Sequence, residues 1–307
     1  MGRFDHLATQ PRRGPADLFR WRVLDPLQGK RIKDPGGFIT PHRRYDADLV
    51  KSPAPSLTWV GHASFLLTLG KKNILFDPVL GERIGPIKRL VAPGIGWQEL
   101  PPIDIVVITH NHRDHLDAWS IERLGDRPTY VAPLGNTRFL KAAGASAKIV
   151  ELDWWETTGI DSLEITLVPA RHWSMHLPWD RNDALWGGYV IRGPEGTAYH
   201  SGDTAYWDTF EEIGRRAGPI DWAMLPIGAY EPRWFMEPQH MGPEEAASAA
   251  KMLGAKHFVA MHWGTFKLTD EPIGEPPERA RAAWQAEGGA EEKLWILDVG
   301  ETRHLGR

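Results

Sequence analysis

The chain runs IDIVVIT over residues 103–109 and HNHRDHLD over residues 110–117. The first segment is a short apolar run of the kind buried on both faces of a sheet. The polar string after it is then the loop at the C-terminal end of that strand, and AWSIERL at 118–124 reads as the helix that follows. Extended backbone sends residues i and i+2 to the same side. The imidazoles of His110 and His112 can therefore converge on one metal ion, while Asp114 and His115 face a second. Three histidines and an aspartate within six residues, at the mouth of a buried strand, are a specific signal. A His-rich solvated loop is the plain alternative.

Working outward, LTWVGHASFLLTL at 57–69, the turn GKKN and ILFD at 74–77 predict a hairpin of two strands. Further strands are expected at PTYVA (128–132), LEITLVPA (163–170), LWGGYVIRG (185–193) with TAYHSGDT (197–204) across a PEGT turn, DWAMLPIG (221–228), KHFVAMH (256–262) and LWILDVG (294–300). Helices are expected over 205–217, 243–253 and 277–287, the second with proline at its first turn. Hairpins and β-α alternation occur in both halves, with no Gly/Ser-rich linker between them. This pattern predicts one α/β domain of two packed sheets with helices outside. His172, Asp203 and His262 each lie at or just beyond the end of one of these strands, so all three are candidates to join the first loop at one edge. Taken singly, each histidine has a structural alternative as a hydrogen-bonded residue, and Asp203 has one as a helix N-cap.

Residues 1–55 carry 11 Lys or Arg against 6 Asp or Glu, and are Pro-rich without a period of 2 or 3.6. They read as an N-terminal arm on a body spanning 56–307. Contact with anionic lipid and a solvated tail are both compatible with its basic character. At 307 residues the chain is long enough for two domains of about 150 residues or for one elaborated domain. The absence of cysteine excludes disulfides, thiolate metal sites and cysteine nucleophiles, so any metal must sit on His and carboxylates. A net charge of -4 argues against a nucleic-acid partner. No apolar h-region opens the chain and no run of about 18 apolar residues occurs, which predicts a cytoplasmic protein, with peripheral contact to a membrane as the variant. Fifteen tryptophans and 25 prolines point to structured loops carrying large amphipathic rings.

The motifs GHASFLL, ILFDP, THNHRDHLD, the lone His172, GDT at 202–204 and MHWGTF at 261–266 resemble the metallo-β-lactamase superfamily from about Leu57 onward. Within it, LPIGAYEPRWFMEPQHMGPEEA at 225–246 is similar to the N-acylphosphatidylethanolamine-hydrolysing phospholipase D branch. The resemblance implies an αββα sandwich of two mixed sheets with outer helices and a two-zinc site at one edge. It also implies that His110, His112 and His172 hold one ion, that Asp114, His115 and His262 hold the other, and that Asp203 bridges both. His240 matches a histidine beside the reaction centre, and Asp77 is implied as a support beneath the metal loop.

Two divalent ions about 3.5–4 Å apart can share one water, acidify it to a bridging hydroxide and clamp the entering and leaving oxygens of a hydrolysed ester. All-N/O ligation favours zinc, with iron and manganese as alternatives. Asp203 and Asp114 are then catalytic through the ions, and His240 is the candidate proton donor or phosphoryl-oxygen ligand. Trp173, Trp179, Trp186, Trp234 and Phe235 flank these motifs as candidate apolar walls, ordinary loop packing being the alternative. Arg171 and Arg233 are candidate phosphate ligands or partners of loop carbonyls and carboxylates, and Tyr230 completes the substrate-side candidates. The reading that follows is a two-zinc phosphodiesterase of phospholipase D type on small-molecule or lipid substrates. A lactonase or ester hydrolase of the same superfamily is the alternative, and a non-catalytic or di-iron metal-binding protein is the second.

Overall fold

Two seven-stranded sheets, each with buried residues on both faces, form the centre of the computed structural model, which describes residues 2–146 and 148–306. The first sheet is built from β1 (Ser56–Gly61), β2 (Ser64–Leu69) and β3 (Lys72–Phe76), an antiparallel meander. A two-stranded ribbon, β4 (Arg83–Ile84) and β5 (Ile87–Lys88), stands apart from it. The sheet continues in parallel through β6 (Ile105–Val107), β7 (Thr129–Pro133) and β8 (Ile149–Leu152). The second sheet comprises β9 (Thr157–Ile160), β10 (Leu163–Val168), β11 (Gly188–Gly193) and β12 (Gly196–His200), all antiparallel neighbours. Parallel strands β13 (Trp222–Pro226), β14 (His257–Met261) and β15 (Leu294–Trp295) complete it. Last in the chain, β16 (Thr302–His304) returns to pair with β1 at the edge of the first sheet.

Period-two alternation explains the layering. Phe65, Leu67, Ile74, Phe76, Ile105 and Val107 of the first sheet join Ile165, Leu167, Tyr189, Ile191, Ala223 and Leu225 of the second in one core. The intervening residues Leu66, Leu75, Val106 and Ile108 face the other way, under Ile121 and Leu124 of the helix Ala118–Leu124 and Phe139 and Leu140 of the helix Thr137–Ala142. The back of the second sheet is covered by helices Thr209–Ala217, Pro243–Met252 and Glu275–Ala286. The order is helix, sheet, sheet, helix, the expected αββα sandwich.

The hairpin expected over residues 57–77 is a three-stranded meander instead. Gly61 (φ 119°) and His62 (φ 56°) leave the extended region, so the apolar run folds back on itself halfway. β8, β9 and the helix Thr137–Ala142 were not expected. The two strands are half-exposed edges separated by Trp154 and Trp155, where alternation is faint. The helix expected from residue 205 begins at Thr209.

Residues 2–55 carry one uninterrupted helical stretch through Pro15–Phe19, Arg20–Leu24 and Asp25–Leu27, with single turns at Asp5–Leu7 and Ala47–Val50. They are tied to the body at several points: Phe4 N–H donates to Asn182 O, Trp21 Nε1 to Asp270 Oδ2 and Arg43 to Asp298. Among the described residues no helix is long and apolar enough to cross a membrane. Strands β3 and β6 run in one direction in the first sheet, β10, β12, β13 and β14 in one direction in the second, and the segments after them carry Asp77, the 110–115 cluster, His172, Asp203, His240 and His262.

Trp186, 1% exposed, is packed in the core with its Nε1 donating to Ala170 O at 2.9 Å, next to the loop bearing His172. Replacing it with alanine should lower the unfolding free energy by about 3–5 kcal/mol, read from urea denaturation. A loss under about 1 kcal/mol would mean that the surrounding loops collapse into the space.

Candidate metal centre

Each predicted metal ligand sits on a loop at a strand end, and the donors meet where the two sheets converge. His110, His112, Asp114 and His115 follow β6, His172 follows β10, Asp203 follows β12, and His262 follows β14. His110 Nε2 and His112 Nδ1 are 2.9 Å apart, and His172 Nε2 is 3.2 Å from His112 Nδ1. Asp203 Oδ2 lies 3.8 Å from both His110 Nε2 and His172 Nε2. On its other side Asp203 Oδ2 is 3.1 Å from His115 Nε2, and its Oδ1 is 3.1 Å from His262 Nε2. Asp114 Oδ2 is 3.7 Å from His262 Nε2 and 3.8 Å from His115 Nε2. The donors thus fall into three groups, His110–His112–His172–Asp203, His62–Asp114–His115–His262 and Asp203–His240–His262, and Asp203 lies between the first two.

The far nitrogens of His110, His115 and His172 are already committed, while those of His112 and His262 have no hydrogen-bond partner among the described residues. His115 Nδ1 donates to Asp77 Oδ2 at 2.7 Å, and His172 Nδ1 donates to the Gln239 carbonyl at 2.9 Å. His110 Nδ1 is 3.0 Å from Thr109 Oγ1, whose own hydroxyl donates to Asp77 Oδ2 at 2.6 Å. Such contacts fix the ring and leave Nε2 directed at the centre. Asp77, fully buried, also accepts the Thr109 N–H at 2.8 Å, so one carboxylate braces the whole first loop.

Several inward atoms have no hydrogen-bond partner among the described residues, including His115 Nε2, His262 Nε2 and Asp203 Oδ1. Converging, buried and unpartnered nitrogens beside carboxylates are what a pair of divalent cations would satisfy. The electrostatics agree. Burial presses His110 well below the ordinary imidazole range, His112 to about 4 and His172 to about 3, so these rings are neutral. Against the same burial, Asp203 and neighbouring carboxylates push His115 well up and His262 up to about 9. Burial opposes ionisation of Asp114 and Asp203, yet the positive charge of His115 and its neighbours holds both well below the carboxylate range.

His240 stands above Asp203, with Nε2 3.9 Å from Oδ2 and its ring 5.1 Å from that of His172. Beside it opens a cleft of about 340 Å³ whose apolar lining includes Trp21, Trp173, Met175, Phe235, Met236 and Leu268. Of the substrate-side candidates, Trp173 and Phe235 lie on this cleft. The others do not. Arg233 is held by Glu245 at 2.9 and 3.1 Å, Tyr230 donates to Glu275, and Arg171 reaches the Tyr206 carbonyl. Trp234 is stacked under Arg20 and Arg13, Trp186 belongs to the core, and Trp179 is 78% exposed. Two participants escaped the sequence reading. Trp21 reaches the cleft from the arm, where no periodicity marked it. His62, read as part of a strand, sits in a left-handed turn with Nε2 3.2 Å from Asp114 Oδ2; the Gly before it was the available signal.

Fold and site together define an αββα protein with a His/Asp metal-binding centre at the sheet edge. The profile described as "Beta-lactamase superfamily domain" matches residues 72–263, and the chain belongs to that superfamily. It is 40% identical over 243 residues, 76% of its length, to an uncharacterised protein of Mycobacterium tuberculosis, and it spans only 64% of that relative. Over 264 residues it is 34% identical to the N-acyl-phosphatidylethanolamine-hydrolyzing phospholipase D 1 of Caenorhabditis elegans, covering 80% of this chain and 74% of that protein. A metallo hydrolase from the archaeon Ignicoccus hospitalis shares the fold, with a TM-score of 0.62 and 24% identity over 81% of this chain and 97% of that one.

Two donor sets around one carboxylate should bind two divalent ions per chain. Elemental analysis of zinc-loaded, gel-filtered protein checks this, and a stoichiometry that stays at one with full activity would overturn the shared-carboxylate arrangement. Asp203→Asn should keep the fold, read by circular dichroism, and lose several orders of magnitude in turnover.

Proposed function

We propose that this chain is a two-zinc phosphodiesterase acting on N-acylphosphatidylethanolamine-like lipids. The observation that carries the reading is the apolar cleft opening onto two clusters of His and Asp donors with Asp203 within 3.1 Å of His115 and of His262 and 3.8 Å of His110 and of His172, and with His240 on the cleft lining beside them. When bound, the two ions supply Lewis acidity and an acidified water. Everything else falls to the protein. His110, His112 and His172 would hold one ion and Asp114, His115 and His262 the other, with Asp203 fixing the spacing. Water adds to phosphorus, the bond to the departing oxygen breaks, and that oxygen takes up a proton. His240, buried on the cleft side of Asp203 and kept neutral by burial with its pKa down at about 3, offers an N–H hydrogen bond to a phosphoryl oxygen, and the departing oxygen takes its proton from the attacking water. Trp173, Phe235, Met236 and Trp21 present hydrocarbon to an acyl chain and keep bulk water from the centre.

The similarity to N-acyl-phosphatidylethanolamine-hydrolyzing phospholipases D supports the same choice, while a lactone would need only the centre and not the apolar walls. The comparison to make is kcat/KM for a bis-aryl phosphodiester, N-acylphosphatidylethanolamine in mixed micelles, a homoserine lactone and a chromogenic β-lactam at one pH and zinc concentration. The lipid should be turned over best, and His240→Ala should lower that rate by about 10²- to 10³-fold with metal content unchanged. Turnover of the lactone alone would replace the phosphodiesterase reading with the lactonase one.

The arm gives the lipid reading a surface. Leu18, Phe19, Val23, Leu24 and Leu27 are exposed on the same helical stretch whose Trp21 turns inward to the cleft and meets the ring of Phe235 at 4.7 Å, tilted by 39°. Arg13, Arg22, Lys30 and Lys33 lie close to them in the sequence, together with Arg12, Arg20 and Arg31, which pair with Asp5, Asp25 and Asp270. Exposed hydrocarbon on a basic segment beside the cleft suits an anionic bilayer. The protein should sediment with phosphatidylglycerol vesicles and not with phosphatidylcholine ones. Leu24→Glu with Leu27→Glu should abolish this and spare the soluble phosphodiester. A concentration-dependent dimer with no vesicle binding would assign the face to a second copy of the chain.

A further inference from the structure

We infer that His62 is a positioning residue for the second ion: it holds the carboxylate of Asp114 and the ring of His262 in place without itself being a ligand. The inference rests on the two-metal reading and is independent of the substrate.

Its first support is backbone geometry. A left-handed conformation is unfavourable for a residue with a Cβ, and it persists only where surrounding structure over-determines it. Among the described residues eight non-glycine positions have positive φ, and four of them, His62, Asp77, Ala229 and His262, lie at the centre or its cleft. His62 is pinned by three hydrogen bonds. Its N–H donates to Thr265 Oγ1 at 2.7 Å, and its carbonyl accepts from Trp59 Nε1 at 2.9 Å and from His262 N–H at 3.0 Å. The last of these fastens the β1–β2 turn to the very residue that carries a predicted ligand. Gly61 is required beside it, because a Cβ there would lie 3.1 Å from Arg89 and 3.3 Å from Thr265 with φ at 119°.

The side chain uses this placement. His62 is buried, its Nε2 is 3.2 Å from Asp114 Oδ2, and its ring lies 3.9 Å from the ring of His262. Phe266 closes the remaining side edge-on at 5.4 Å. An ionised carboxylate only accepts, so the shared proton rides on His62 Nε2, and that nitrogen has no lone pair left for an ion. The contact therefore orients Asp114 and leaves its other lone pairs to the centre. The ring contact does the same for His262 by limiting its rotation. Second-layer partners of this kind typically change metal affinity by about 10- to 100-fold.

The test titrates apo-protein with Zn²⁺ against a competing chelator and records the d–d spectrum of the Co²⁺-loaded protein. Wild type should show two binding events. His62→Phe, which keeps the ring and removes the donor, should weaken the second by about 10- to 100-fold and leave the first unchanged. His62→Gln, which restores an N–H, should recover most of that loss with the Co²⁺ spectrum of wild type. Thermal melting of the metal-free variants separates misfolding from lost affinity, and His62→Gln stands in if His62→Phe does not fold. Equal affinities in wild type and both variants would overturn the inference and reduce His62 to packing. A changed Co²⁺ spectrum with one ion lost in His62→Gln would overturn it in favour of ligation. A single binding event in wild type would instead sink the two-metal reading, so the two failures are distinguishable.

Discussion

Imidazole nitrogens and carboxylate oxygens are packed into a water-poor edge between two sheets, and the rest of the fold serves to keep them there. Isolated, such groups would be expensive to bury, and a buried carboxylate is tolerated only when paired or bound to a cation. Asp77, Asp203 and the histidines at 110, 115, 172 and 262 are all buried. The sandwich meets this constraint by ending its parallel strands at a common edge, where loops can turn without breaking the sheet ladders. That is the general place for ligands in sheets of parallel strands.

A layer of carboxylates braces the loops from behind. Asp77 secures the loop of His110 and His115. Glu271, buried at the opposite wall, accepts N–H groups from Ala229 and Glu231 and so sets the path of the segment that leads to His240. Asp270 beside it receives Trp21 from the arm. The arm is therefore coupled to the cleft through the same short stretch, 268–271, that shapes the cleft wall.

A centre of this composition does not discriminate between a phosphodiester and a lactone, because both need an activated water and a clamp for oxygen. Discrimination falls to the cleft. Its walls are tryptophan, phenylalanine, methionine and leucine, and the arginines near it are spent on Glu245 and on loop carbonyls. Charge on a substrate headgroup would then be met by the centre and His240, and hydrocarbon by the walls.

The strand–loop motif at 103–117 was readable because two periods coincide there: an apolar run that can only be buried, followed by His and Asp at the i, i+2 spacing that extended backbone converts into convergence. Two packed sheets with helices outside and the strand-end candidates followed from the same logic applied outward, and the αββα order was implied by the family resemblance. Other features depended on contacts distant in sequence. His62 looked like mid-strand because apolar residues flank it, and only the turn tied to Thr265 and His262 brings its ring to Asp114. Trp21 lies 214 residues from the Phe235 it packs against, and nothing local marks it. Arg233, Tyr230 and Trp234 sit in a suggestive segment, yet tertiary structure gives their polar groups other partners. A sequence fixes which side chains can bind and where along the chain they stand; which of them face one another is settled by the packing of elements far apart in the chain.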